Sequence, residues 1–129
     1  MAERDLIFPA GRQALYAKHR YSAAVRSGDL LHVSGQVCAR EDGSPELDFA
    51  LRTDRAFDNL IAVLEAANCG LADIEDLTTF HTDPEARFAV VLAAKARFFP
   101  EPLYPGGTAV GVIWLAGFDF ETKVFARIP

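Results

Sequence analysis

No stretch of this sequence stays apolar long enough to cross a bilayer. The longest apolar run, residues 88–94, falls far short of the roughly 20 residues that a spanning helix needs. Runs of basic residues are absent as well. With 13 Lys and Arg against 18 Asp and Glu, the net charge is −5, which argues against nucleic acid because phosphate binding depends on clustered cations. Cysteine is scarce: Cys38 and Cys69 form neither a C-x-x-C pair nor a zinc-type spacing. Both are expected as buried small apolar groups in a reduced, cytoplasmic protein. The opening, residues 1–5, is too charged to begin a secretory signal. His19, His32 and His81 match no metal pattern, and no G-x-G-x-x-G, P-loop or G-x-S-x-G occurs. The expectation is a protein with no metal, no cofactor, no nucleic-acid partner and no membrane span.

What is present is ordinary globular composition, half apolar and 24% charged. A chain of 129 residues predicts one domain, able to bury roughly two-thirds of its unfolded surface. Residues 1–20 read as irregular, with Pro9 and Gly11 as breakers. Residues 21–26 and 30–34, joined by Ser27-Gly28-Asp29, predict a hairpin, and residues 40–45 predict a surface loop. From Asp48 the period changes. Leu51, Phe57, Leu60, Ile61, Leu64 and Ala67 recur mostly at three- and four-residue spacing, predicting an amphipathic helix closed by Gly70 as a left-handed cap. Residues 74–81 are β-rich. Asp83-Pro84 then places an N-cap and a first-turn proline before a second helix that ends at Phe98 or Phe99. Strands over residues 108–114 and 118–128 complete a β-β-α-β-α-β-β order. That order predicts an α+β fold with both helices on one face of the sheet. The other face needs a cover, and a second copy of so small a chain is the economical one.

Several ordered features carry a resemblance: residues 28–36 (GDLLHVSGQ), Asn59-Leu60 in the first helix, Phe98-Phe99 closing the second, and residues 105–121, which end in Phe120-Glu121. Together they resemble the Rid family (RidA/YjgF type) of imine/enamine deaminases over about residues 21–126. The resemblance implies one Rid-like domain over residues 1–129 with a chorismate-mutase-like fold, a mixed β-sheet and two helices packed on one face. It also implies a homotrimer with a central barrel. Small-molecule clefts would then lie between subunits, built from Tyr21 and the Ser34-Gly35 region together with the 105–110 turn and Glu121.

Each candidate has a bland reading beside the functional one. Glu121, where the family places a glutamate, suits a general acid/base that delivers water to a C=N carbon and protonates its nitrogen. It also suits a solvated strand residue pairing with Lys123 on the same face. Ser34 is a hydrogen-bonding residue for ligand or water, or a strand-end residue that satisfies backbone groups; nothing in the sequence supplies the base a nucleophile needs. Tyr21 aligns with a cleft tyrosine of the family, or is rim packing. Trp114 makes the cleft more apolar, or belongs to the core.

Gly107 is the departure that bears on substrate. Deaminating members of the family carry the pattern Pro-x-Arg, whereas this chain reads Pro105-Gly106-Gly107. The arginine grips a substrate carboxylate with two hydrogen bonds, which glycine cannot reproduce. The backbone of Gly106 and Gly107 beside Thr108 is expected to offer at most a small anion-binding nest, unless Arg12, Arg20 or Arg40 reaches in. Leu92 replaces a frequent polar residue, and the segment between Leu115 and Glu121 is one residue shorter than usual. The resemblance thus implies hydrolytic deamination of small imines or enamines with altered substrate preference. The alternatives are a non-catalytic trimer that binds small metabolites and, more distantly, a ribonuclease that inhibits translation.

Overall fold

The computed structural model describes residues 5–129, and the charged opening over residues 1–4 lies outside them. The chain runs β1 (Asp5–Ile7), α1 (Gln13–Lys18), β2 (Ala24–Ser27), β3 (Leu30–Val37), α2 (Arg52–Ala66), β4 (Ile74–His81), α3 (Pro84–Phe98), β5 (Gly106–Gly111) and β6 (Phe120–Arg127). The strands form one mixed sheet in the order β1-β2-β3-β6-β4-β5. Only the β4–β5 pair is parallel, because α3 carries the chain back across the sheet between them.

Alternation along β6 decides which face is covered. Phe120, Thr122, Val124 and Ala126 are buried, while Lys123 and Arg127 are exposed. The buried set meets Ala56, Phe57, Leu60, Val63 and Leu64 of α2, and Phe57 stacks on Phe98 at 4.9 Å between ring centroids. Both long helices therefore pack on one face, as the order of elements predicts. The opposite face, which includes exposed Leu6 of β1 and Val110 of β5, is left without a covering layer among the described residues.

Four local readings are corrected. The first 20 residues are not wholly irregular: β1 pairs with β2, and α1 turns Tyr16 inward to donate a hydrogen bond to Gln36 Oε1 at 3.1 Å. Elements of three and six residues are too short to show a period between Pro9, Gly11 and Gly28. The left-handed residue after α2 is Asn68 (φ 59°), whose amide side chain tolerates that conformation, and Gly70 is extended. Asp83 precedes α3 without a side-chain capping bond. The strand expected over residues 108–114 ends at Gly111, because its partner β4 ends at His81. The amide of Val112 donates the last bond of that ladder, to the His81 carbonyl at 2.9 Å. Beyond it, residues 112–119 form a loop, turned by left-handed Ala116 (φ 54°) and Gly117 (φ 94°), that carries Trp114 out of the sheet.

Candidate functional site

The site forms at an irregularity between β3 and β6. Val33 pairs with Val124 and Gln36 with Thr122, so both Ser34 and Gly35 stand opposite the single residue Lys123. This bulge bends β3 and brings the Gly35 Cα under the Glu121 side chain. A Cβ at position 35 would collide with the Glu121 carboxylate. Gly35 is the residue that lets a carboxylate lie flat against this strand.

Glu121 lines a cavity of about 680 Å³ together with Tyr21 and Gly35. The remaining walls are mainly apolar: Leu15 from α1, Val37 from β3, and Trp114, Leu115 and Phe118 from the 112–119 loop. Burial pushes the Glu121 carboxyl above its ordinary range, and nearby Lys123 opposes that rise. No ion pair joins Glu121 to Lys123 among the described residues, so the solvated-pair reading lacks its contact. The Tyr21 phenol is pushed up as well, first by burial and then by Tyr16 and Glu121. Its ring packs edge-on against Tyr16, with centroids 5.0 Å apart, which fixes its direction at the cavity wall.

Two long-range anchors hold this arrangement. The Asn59 side-chain amide donates to the carbonyls of Val37 and Ala39 at 2.8 and 2.9 Å, clamping the end of β3 to α2. Just before β6, Asp119 accepts from Arg52 of α2 at 3.0 Å and from Arg87 of α3. Arg87 in turn lies over the Phe49 ring, 4.1 Å from its centroid.

These features coincide with a known family. The sequence profile described as Endoribonuclease L-PSP, the YjgF/RidA family, matches residues 11–128. This chain belongs to that family. It is 63% identical over 129 residues to the RutC family protein YjgH of Escherichia coli (strain K12), covering all of this chain and 98% of that protein. A solved structure of a YjgH protein superimposes with a TM-score of 0.95 at 62% identity, over 99% of this chain and 98% of the other. RidA from the Antarctic bacterium Psychrobacter superimposes with a TM-score of 0.78 at 28% identity, over 84% and 88% of the two chains. The mixed sheet with helices on one face is the fold of these YjgF-family neighbours.

Among the sequence-predicted site residues, the fold brings Glu121, Tyr21, Gly35 and Trp114 to one cavity. Trp114 is 73% exposed, which rules out the core reading within this chain. Ser34 turns elsewhere: its hydroxyl donates to the Ser22 carbonyl at 2.7 Å, the strand-end role. Gly106, Gly107 and Thr108 sit on edge strand β5, with β4 between them and β6. Gly106 and Gly107 pair with Asp76 and Leu77 as ordinary strand residues, so the expected anion-binding nest does not form. They border a separate groove of about 370 Å³ with Leu92 and Tyr104.

None of the three candidate arginines lines the Glu121 cavity. Arg12 borders a different hollow beside α2, and Arg40 donates to the Ser44 hydroxyl at 2.8 and 3.1 Å. Sequence reasoning missed Leu15, His19 and Gly43 as cavity residues. The first two come from the unrecognised helix α1 and its C-terminal residue, and Gly43 (φ 88°) from the surface loop, packed against Leu15. The signal available was Leu15 and Tyr16 as apolar positions between two breakers.

Proposed function

We propose that this chain, as one Rid-like domain over residues 1–129, hydrolyses small imines or enamines in clefts between the subunits of a homotrimer. The observation that carries the reading is the Glu121 carboxylate laid against Gly35 beside Tyr21 in a cavity with apolar walls. In such a cleft Glu121 holds a water. One water proton passes to the carboxylate as the oxygen bonds to the C=N carbon, and the nitrogen takes up a proton. The carboxylate then takes the carbinolamine's hydroxyl proton and delivers it to the amino nitrogen as the C–N bond breaks, so that ammonia departs and a carbonyl compound remains. Glu121 carries these proton transfers, so the reaction calls for no cofactor. Ser34, whose hydroxyl is committed to Ser22, takes no part as nucleophile.

The neighbouring subunit supplies the second wall in this reading, through edge strand β5 with Gly106, Gly107 and Thr108. No guanidinium comes with it, which is the source of the altered substrate preference. The setting is the cytoplasm, consistent with two unpaired buried cysteines and with the lack of any described helix long and apolar enough to cross a membrane.

The test is purified protein mixed with 2-aminoacrylate and with imines made in situ by an oxidase, following ammonia release. Glu121→Gln is expected to lower kcat by about 10²–10⁴-fold, the usual contribution of a positioned acid/base. The wild-type rate should rise with pH through a limb above the ordinary carboxylate range, as Glu121 ionises and becomes able to accept the water proton. No acceleration of any imine, with Glu121→Ala identical to wild type, rejects the reading.

A second reading, a non-catalytic trimer that binds small metabolites in the same clefts, is favoured by the engagement of Ser34 with the backbone. Activity lost in Glu121→Ala removes it. A ribonuclease, suggested by the family's description, finds no Lys or Arg among the residues lining the cavity to take a phosphate backbone.

A further inference from the structure

The walls of the Glu121 cavity carry information about its ligand. Leu15, Val37, Trp114, Leu115 and Phe118 present apolar surface, and the polar groups among them are His19, Tyr21 and Glu121. Glu121 is thus the one fixed charge among these lining residues, with Lys123 near it but not on the cavity wall. Trp114 is largely exposed and lines this cavity, so it offers a ligand a large flat apolar surface. Its position is also set by the fold. The 112–119 loop is tied at one end by Val112 N–H to the His81 carbonyl (2.9 Å) and at the other by Thr82 N–H to the Asp119 carbonyl (3.2 Å). Inside the loop, Phe118 N–H closes a turn on the Leu115 carbonyl at 3.1 Å.

We propose that this cleft selects imines with a flat apolar body and no carboxylate, and that Trp114 is the residue that selects them. This deepens the deaminase reading and rests on it for the reaction, though not for the ligand class. A substrate with a carboxylate beside its C=N bond would place a second anion next to Glu121 between low-dielectric walls, where like charges repel strongly. A carboxylate-free imine presents the opposite charge when protonated. Its iminium is attracted by Glu121 and by the faces of Tyr21 and Trp114, and its hydrocarbon covers Trp114, Leu15 and Phe118. Such imines arise when a primary amine loses two electrons and two protons to a flavin-type acceptor, R–CH₂–NH₂ becoming R–CH=NH. The supplying reaction is therefore an amine dehydrogenation rather than the oxidation of an amino acid.

The experiment pairs two imines that share a benzyl group. One is made in situ from 2-phenylethylamine by a flavin amine oxidase, the other from phenylalanine by a flavin amino-acid oxidase. Imine loss above the spontaneous rate is followed at pH 8. In parallel, 2-phenylethylamine and phenylalanine are titrated against the fluorescence of Trp114, the single tryptophan of the chain. The expected result is kcat/KM at least about tenfold higher for the amine-derived imine, quenching by the amine and not by the amino acid, and in Trp114→Ala a KM raised about tenfold with kcat nearly unchanged. Equal or inverted preference between the two imines overturns the proposal, and needs no variant. So does a Trp114→Ala that keeps the wild-type KM and the wild-type light scattering. Selective quenching by the amine with no hydrolysis of either imine upholds the ligand class while rejecting the deaminase reading. Neither quenching nor hydrolysis rejects both.

Discussion

The Glu121 carboxylate fills the space above Gly35 that a side chain would otherwise occupy, with its Oε1 atom 2.7 Å from where an alanine Cβ would stand. The backbone at this position makes no demand of its own, since φ is not positive, so alanine is conformationally tolerated. What must yield is the far end of a flexible glutamate, which can swing aside at little cost to the fold. Gly35→Ala should therefore keep a thermal midpoint close to wild type while displacing the carboxylate by an ångström or more. Misplacement of that order costs activity by about 10²-fold. Melting curves and kcat measured on the same preparation check both halves. A variant that unfolds easily, or one that keeps full activity, contradicts the account of why this residue is glycine.

At the scale of elements, the cavity depends on how the 112–119 loop and β6 are held. Asp119 sits at their junction, largely buried, and draws in one arginine from each long helix. Replacing it by asparagine removes the charge that both guanidiniums address. The expected loss is about 1.5–3 kcal/mol by chemical denaturation, the range for hydrogen bonds to a charged group. If this cluster steadies the loop, the fluorescence anisotropy of Trp114 should fall in the same variant. A stability loss with anisotropy unchanged would confine Asp119 to a structural role remote from the cavity. This cluster was invisible in the sequence because Arg52, Arg87 and Asp119 are separated by 32 to 67 positions and share no motif.

The elements that were legible were those whose periodicity had length behind it. Phe57, Leu60 and Leu64 repeat often enough to announce a helix stripe, and residues 118–128 are long enough to read as a strand, though which of its faces is buried came only from the fold. Glu121 was legible for the opposite reason, as a carboxylate inside an apolar run. Leu15 and His19 were not, since α1 has only six residues and its place in the cavity is set by Tyr16 reaching Gln36 across 20 positions. Trp114 was read as the end of a strand because nothing in its own segment says that β4, the partner of β5, runs out at His81.

At the scale of the whole molecule, one face of the sheet is left without a covering layer among the described residues. On that face Glu121, Phe80 and Val110 stand in one row across β6, β4 and β5, and Leu6 is exposed at the far edge on β1. Strand β5 adds a bare edge, exposed along all six residues, whose outer N–H and C=O groups are unpaired within the sheet. Ile113, Leu103 and Tyr104 are also well exposed, which adds apolar surface that an assembly could cover. A closed ring of copies would cover the face and the edge together, and it would bring Gly106 to Thr108 of one copy toward the Glu121 of the next. Light scattering at micromolar concentration is expected to give three times the chain mass of 14.1 kDa. Val110→Asp, which places a charge on the uncovered face without touching the helix-packed core, should dissociate the assembly while the far-ultraviolet circular dichroism stays near wild type. The dissociated variant should lose imine hydrolysis although its Glu121, Tyr21 and Gly35 are intact. A monomeric wild-type protein, or a monomeric Val110→Asp variant with full activity, would show that the cavity of a single chain is the whole site.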